Sequence, residues 1–110
     1  MEMTLNEYQK HALETAAYPS KGEIIYCTLG MTGEAGEVAE KVKKVLRDNN
    51  GEFTEEKKEQ IALEIGDVLW YIATLSHNLG YTLEEIAEKN YEKLQSRKAR
   101  GKIHGDGDNR

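Results

Sequence analysis

Apolar residues recur at helical spacing in four stretches of this 110-residue chain, and nowhere does the pattern alternate with the period of two that marks a strand. The first stretch opens with Thr4-Leu5-Asn6-Glu7, a capping box in which threonine and glutamate satisfy each other's free backbone amides. Leu5, Tyr8, Ala12, Leu13 and Ala16 then follow at helical intervals, and the helix must stop before Pro19. A second helix is expected from about Gly22 to Arg47. Its first part, Ile24 to Gly33, carries no charge and reads as buried on several sides; beyond Glu34 only Val38, Val42, Val45 and Leu46 keep an apolar stripe. Asn49-Asn50-Gly51 makes a turn, and Phe53 is expected to pin that loop. Thr54 caps a third helix that should close at Gly80. Thr82-Leu83-Glu84-Glu85 is a second capping box, starting a fourth helix through about Arg97 with Leu83, Ile86, Ala87, Asn90 and Leu94 inward. The pattern predicts an all-α four-helix bundle over residues 1–98, with the second and third helices central and antiparallel. Residues 99–110 form a polar, glycine-rich tail, either flexible or ordered by a ligand or subunit.

The third helix contains an anomaly. From Ile61 to Ser76 its only charged residues are Glu64 and Asp67. Three positions apart is roughly 60° around a helix, so both carboxylates leave one side. Thirty positions upstream, Glu34-Ala35-Gly36-Glu37-Val38 repeats the residue classes of Glu64-Ile65-Gly66-Asp67-Val68. Each motif holds a glycine, which costs a helix interior about 1 kcal/mol relative to alanine. Close passage of a partner helix or a ligand beside the acids would account for both. Antiparallel pairing of the second and third helices sets Glu34, Glu37, Glu64 and Asp67 face to face as hard oxygen ligands, a set suited to Mg²⁺ or Mn²⁺ and lacking the His or Cys that zinc prefers. In a chain with 20 acids a single Glu-x-x-Glu usually marks a solvated face. Here the glycine pair and the uncharged surroundings favour a metal site.

Charge and cysteine content narrow the classes further. A net charge of −5 argues against a nucleic-acid or membrane-surface binder. Cys27 is the one cysteine, so no intrachain disulfide exists, and the start MEMTLNEYQK lacks the basic-then-apolar order of a signal peptide. No uncharged run reaches the roughly 18 residues of a membrane span. A cytoplasmic protein is expected.

These motifs carry a resemblance. GEAGEVAEKVKK followed by EIGDVLWYIATL resembles the Glu-x-x-Glu and Glu-x-x-Asp signature of the MazG-like all-α nucleoside triphosphate pyrophosphohydrolases, and LNEYQ, KVKKVLRD, KLQSRKARG and GDGDNR are similar to flanks of its small bacterial and phage members. The resemblance spans nearly the whole chain. It implies Mg²⁺-dependent hydrolysis of a nucleoside triphosphate to monophosphate and pyrophosphate, by a dimer or tetramer whose paired bundles shape the substrate pocket. A triphosphate meeting four carboxylates would be strongly repelled without divalent cations. Among the acids, Glu37 is the candidate to orient the attacking water as base, although ligand and base are not separable by position. Glu40 continues the spacing, and its plainer reading is a surface acid paired with Lys44.

Cations and aromatics complete the candidate set. Lys93 and Arg97 match the Lys and Arg of the family's Asn-x-x-Lys-x-x-x-Arg pattern from Asn90 and are candidates to hold phosphate oxygens; solvated surface charge is the alternative. The end of the chain, from Arg97, sets five basic residues against Asp106 and Asp108 and could close over a triphosphate. Tyr71, one turn beyond Asp67, could stack on a base, as could Trp70, whose plainer reading is core or subunit interface. His11 reads as a surface residue. Two other classes fit less well. A di-iron bundle needs Glu-x-x-His, and no glutamate here precedes a histidine by three. A non-catalytic signalling bundle presenting His77 as phosphate acceptor leaves both acid pairs without purpose.

Overall fold

A computed structural model describes residues 2–110. Four helices follow one another, α1 (Leu5–Glu14), α2 (Glu23–Asp48), α3 (Glu55–Asn78) and α4 (Leu83–Ala99), with no strand among the described residues. The expected caps form. Thr4 and Thr82 make capping boxes with Glu7 and Glu85, and the Thr54 hydroxyl accepts from the Lys57 amide. Asn50 and Gly51 adopt positive φ in the α2–α3 turn, and Gly80, with φ of 88°, closes α3.

α3 is the hub. α2 packs along it and touches neither α1 nor α4, which gather instead at the other flank of α3. Gly30 faces Tyr71, Glu34 faces Glu64 and Asp67, and Val42 shares an apolar groove with Ile61 and Ile65, so the α2–α3 register runs antiparallel. The small core joins Ala12, Ala73 and Leu83, with Tyr8, Trp70 and Ile72 packed around it. Polar clamps hold this junction. The start of a helix leaves backbone amides without partners, and α1 supplies acceptors for two of those on α4: Gln9 Oε1 for Leu83 (3.2 Å) and Asn6 Oδ1 for Glu84 (3.0 Å). The buried Gln9 also donates to the carbonyls of Ala73 and Tyr81, so one side chain ties α1 to both arms of the α3–α4 turn.

The single chain leaves its α2 side open. Its radius of gyration is 16.8 Å, against about 13 Å for a compact domain of this length. Ile24 to Gly33 was expected to be buried on several sides, yet Cys27 is its one fully buried residue, and Ile25 and Leu29 are each 68% exposed. On the later stripe Val45 is buried and Leu46 is 72% exposed. α4 departs from expectation too: of its supposed inner residues Leu83 alone is buried, while Ala87, Asn90 and Leu94 are exposed. The reason is the same in each case, since no fourth wall of helix lies over those faces in one chain.

The tail folds back on α4. Arg97 is 4% exposed, and its guanidinium donates to the Asp108 carbonyl and carboxylate and to the Gly107 carbonyl, while Lys93 pairs with the same carboxylate at 3.2 Å. Arg110 donates to the carbonyls of Lys102, Ile103 and Gly107, and Arg100 to the carbonyl of Arg110. Gly101, Gly105 and Gly107, all at positive φ, allow a chain this short to turn so tightly.

Candidate functional site

Opposed helices bring three of the four candidate acids together. One carboxylate oxygen each from Glu34 on α2 and from Glu64 and Asp67 on α3 lie within 4.8 Å of one another. Glu64 and Asp67 share a face because they are three residues apart, and the antiparallel register delivers Glu34 opposite them. Glu37 is exposed and stands outside this convergence, though its charge still reaches Glu34. Desolvation, followed by the fields of Asp67, Glu64 and Glu37, holds the Glu34 carboxyl above the ordinary glutamate range. Three oxygens at this spacing with their charge uncompensated suit a divalent cation of the hard, oxygen-seeking kind.

Beside the acids lies a cleft of about 370 Å³ lined by Thr15, Glu34, Asp67, Trp70 and Tyr71. Two carboxylates and two rings line it, and the rings make an aromatic ledge in which Trp70 meets Tyr71 edge to face at 4.9 Å. Outside the lining, Tyr26 neighbours Tyr71 at 6.4 Å and Tyr18 neighbours Tyr26 at 5.9 Å. Burial, then the neighbouring Tyr26, pushes the Tyr71 hydroxyl pKa up. Tyr8, on α1, also has its pKa raised, by burial and then by Asp67, which places α1 within reach of the acid cluster.

Residues 26–101 match the MazG nucleotide pyrophosphohydrolase domain. The chain belongs to the MazG nucleotide pyrophosphohydrolase family. The chain is also 46% identical over 114 residues to a Mycobacterium phage L5 protein named Gene 37 protein, the match covering 98% of this chain and all of the phage protein. No solved structure matches the chain. The matched region takes in both acid motifs, the ledge residues Trp70 and Tyr71, and the cations of α4.

The remaining candidates are placed differently. Lys93 and Arg97 are engaged by Asp108 and do not line the cleft. Glu40 pairs with Lys43 at 3.1 Å where Lys44 was expected, and Lys43 lowers its pKa. His77 is exposed at the last turn of α3, and His11 pairs with Glu14 at the surface. The glycines between the acids also need correcting: a Cβ at Gly36 or Gly66 would meet nothing within 4 Å, so no helix of the same chain passes close there. Close approach occurs instead at Gly30, against the Tyr71 ring. Thr15 was missed altogether. Its one sequence signal is indirect, since an indole N–H on a largely apolar helix requires an acceptor from somewhere.

Proposed function

We propose that the protein is a Mg²⁺-dependent nucleoside triphosphate pyrophosphohydrolase that converts a nucleoside or deoxynucleoside triphosphate to its monophosphate and pyrophosphate. The observation that carries this reading is the convergence of Glu34, Glu64 and Asp67, two of which, Glu34 and Asp67, line a cleft together with the rings of Trp70 and Tyr71. Glu34, Glu64 and Asp67 would hold Mg²⁺, or Mn²⁺ in its place, and the ion would supply Lewis-acid stabilisation of the phosphate charge. Glu37, exposed and close enough to influence Glu34, is assigned to orient and deprotonate the attacking water. Tyr71 offers its ring to the base. Lys93 and Arg97 are assigned to the phosphate oxygens that metal leaves uncompensated, which requires them both to exchange Asp108 for phosphate and to reach a cleft that they do not line in the single chain.

A second copy of the chain is assigned to the bare faces of α2 and α3, as a homodimer or a tetramer. Exposed Ile25, Leu29, Leu46 and Leu63, together with the open space over Gly36 and Gly66, support that assignment. Among the described residues no helix is long and apolar enough to cross a membrane. We place the enzyme in the cytoplasm, with its nucleotide substrates.

Incubation with a panel of nucleoside triphosphates and Mg²⁺ in ¹⁸O-labelled water tests the reaction. Pyrophosphate should appear, with the label in the monophosphate. Release of orthophosphate and a diphosphate, or label in pyrophosphate, would show that water attacks a different phosphorus.

A further inference from the structure

The aromatic ledge is held from two directions, and the two are unequal. Tyr71 packs against the backbone of Gly30 and neighbours the ring of Tyr26. Trp70, half-buried, packs on the core with one side and borders the cleft with another. Its indole also makes a solvent-exposed hydrogen bond across 55 positions of sequence: Trp70 Nε1–H donates to Thr15 Oγ1 at 2.9 Å. Thr15 is the residue that ends α1. Its hydroxyl donates its one proton to the Ala12 carbonyl at 3.1 Å, so the oxygen lone pairs are left for the indole. The indole N–H can only donate, so Thr15 accepts in this pair, and the C-terminus of α1 becomes part of the cleft.

We propose that Thr15 is a positioning residue for the substrate cleft, holding Trp70 edge-on to Tyr71 and so setting the width of the space between the aromatic ledge and the carboxylates of Glu34 and Asp67. The inference rests on reading that cleft as the nucleotide site. With its donor engaged by Thr15, the indole offers an incoming base its ring surface and no hydrogen bond. Substrate affinity then depends on where the ring stands, while the acids that bear on the chemical step are untouched by Thr15. A change at Thr15 therefore acts on binding far more than on turnover.

The test compares full-length wild type, Thr15→Val, which keeps the shape and removes the hydroxyl, and Thr15→Ser, which restores it. Trp70 is the chain's only tryptophan, so intrinsic fluorescence reports on this one indole. Without metal or nucleotide, Thr15→Val should show red-shifted emission and stronger acrylamide quenching, and Thr15→Ser should match wild type. In steady-state assays with Mg²⁺ and a hydrolysed triphosphate, Thr15→Val should raise KM about two- to fivefold, the equivalent of one lost exposed hydrogen bond, with kcat within about twofold. Thr15→Ser should recover KM. Circular dichroism melting establishes that each variant is folded at the assay temperature. Unchanged emission and quenching in Thr15→Val would show that the hydroxyl does not hold the indole and would overturn the proposal. Altered emission with a wild-type KM would overturn the link to the cleft. If wild type releases no pyrophosphate from any triphosphate, the proposed activity fails by itself, and the fluorescence comparison still decides whether Thr15 fixes Trp70.

Discussion

The Tyr71 ring of α3 sits against the backbone of Gly30 on α2, with its Cδ1, Cε1 and Cζ atoms filling the space where a Cβ at position 30 would stand. A methyl group there must push the ring away. Overpacking of this kind costs about 1–3 kcal/mol, and the better helix propensity of alanine returns about 1 kcal/mol. Gly30→Ala should therefore be mildly destabilising in chemical denaturation and should raise KM by displacing Tyr71. The decisive comparison is in a Tyr71→Ala background, where Gly30→Ala should turn stabilising because the obstacle is gone. The same sign in both backgrounds would mean that the ring is not what excludes a side chain.

Glu34 makes stability depend on pH in a stated direction. Its carboxyl pKa is raised in the folded protein by desolvation and by Asp67, Glu64 and Glu37. A raised folded pKa means that the folded state binds the proton more tightly than the unfolded chain does, so its contribution is fully present below the unfolded pKa and lost as pH rises through the folded one. Metal-free Glu34→Gln should consequently melt higher than wild type at pH 7, with the difference shrinking as pH falls toward the ordinary carboxylate range. A variant that melts lower at pH 7 would show that Glu34 makes favourable contacts outweighing the repulsion.

Magnesium should reverse that penalty. A ligand that binds only the folded state, present at a hundred times its Kd, stabilises by about 2.7 kcal/mol. Thermal shift with Mg²⁺ should rise for wild type and vanish for Glu64→Gln and Asp67→Asn. Glu37→Gln should keep most of the shift, since Glu37 lies outside the three-carboxylate convergence, while losing turnover. Loss of the shift in Glu37→Gln would move that residue from base to ligand.

Turnover itself separates the carboxylates from the cations. Glu64→Ala and Asp67→Ala should each lower kcat more than about a hundredfold, as expected when charge stabilisation worth about 3 kcal/mol in the transition state is removed. Lys93→Ala should raise KM about tenfold with kcat within a fewfold, because a phosphate contact present before and during reaction is uniform binding. Near-normal kcat in both acid variants would end the metal-site reading.

The tail is held by charge. Hydrogen bonds from Lys93 and Arg97 lower the pKa of the Asp108 carboxyl, so its contribution is present above the unfolded pKa and lost as pH falls through the folded one. Asp108→Asn should speed amide hydrogen exchange across residues 101–110 at pH 7, and wild type should approach the variant in acid. Equal exchange at neutral pH would leave the Arg110 contacts as sufficient to hold the tail.

Much of this protein was legible without coordinates, because helix start, stop and phase are local properties. Thr4, Thr54 and Thr82 cap helices through residues three positions away, Gly80 closes α3 by its own backbone freedom, and the three-residue spacing of Glu64 and Asp67 puts both on one face whatever packs there. Pairing of α2 with α3 also followed, from a short turn between two long apolar stripes. What only the tertiary structure decided depends on the offset and rotation of one helix against another, which no periodicity encodes. That offset brings Glu34 to Glu64 and Asp67 while leaving Glu37 outside, and it spends the close approach on Gly30 where Gly36 and Gly66 had the stronger motif. It also joins Thr15 to Trp70 and Gln9 to Leu83 across more than fifty residues, turns Arg97 inward to the tail, and leaves the apolar residues of α2 without a cover from the same chain.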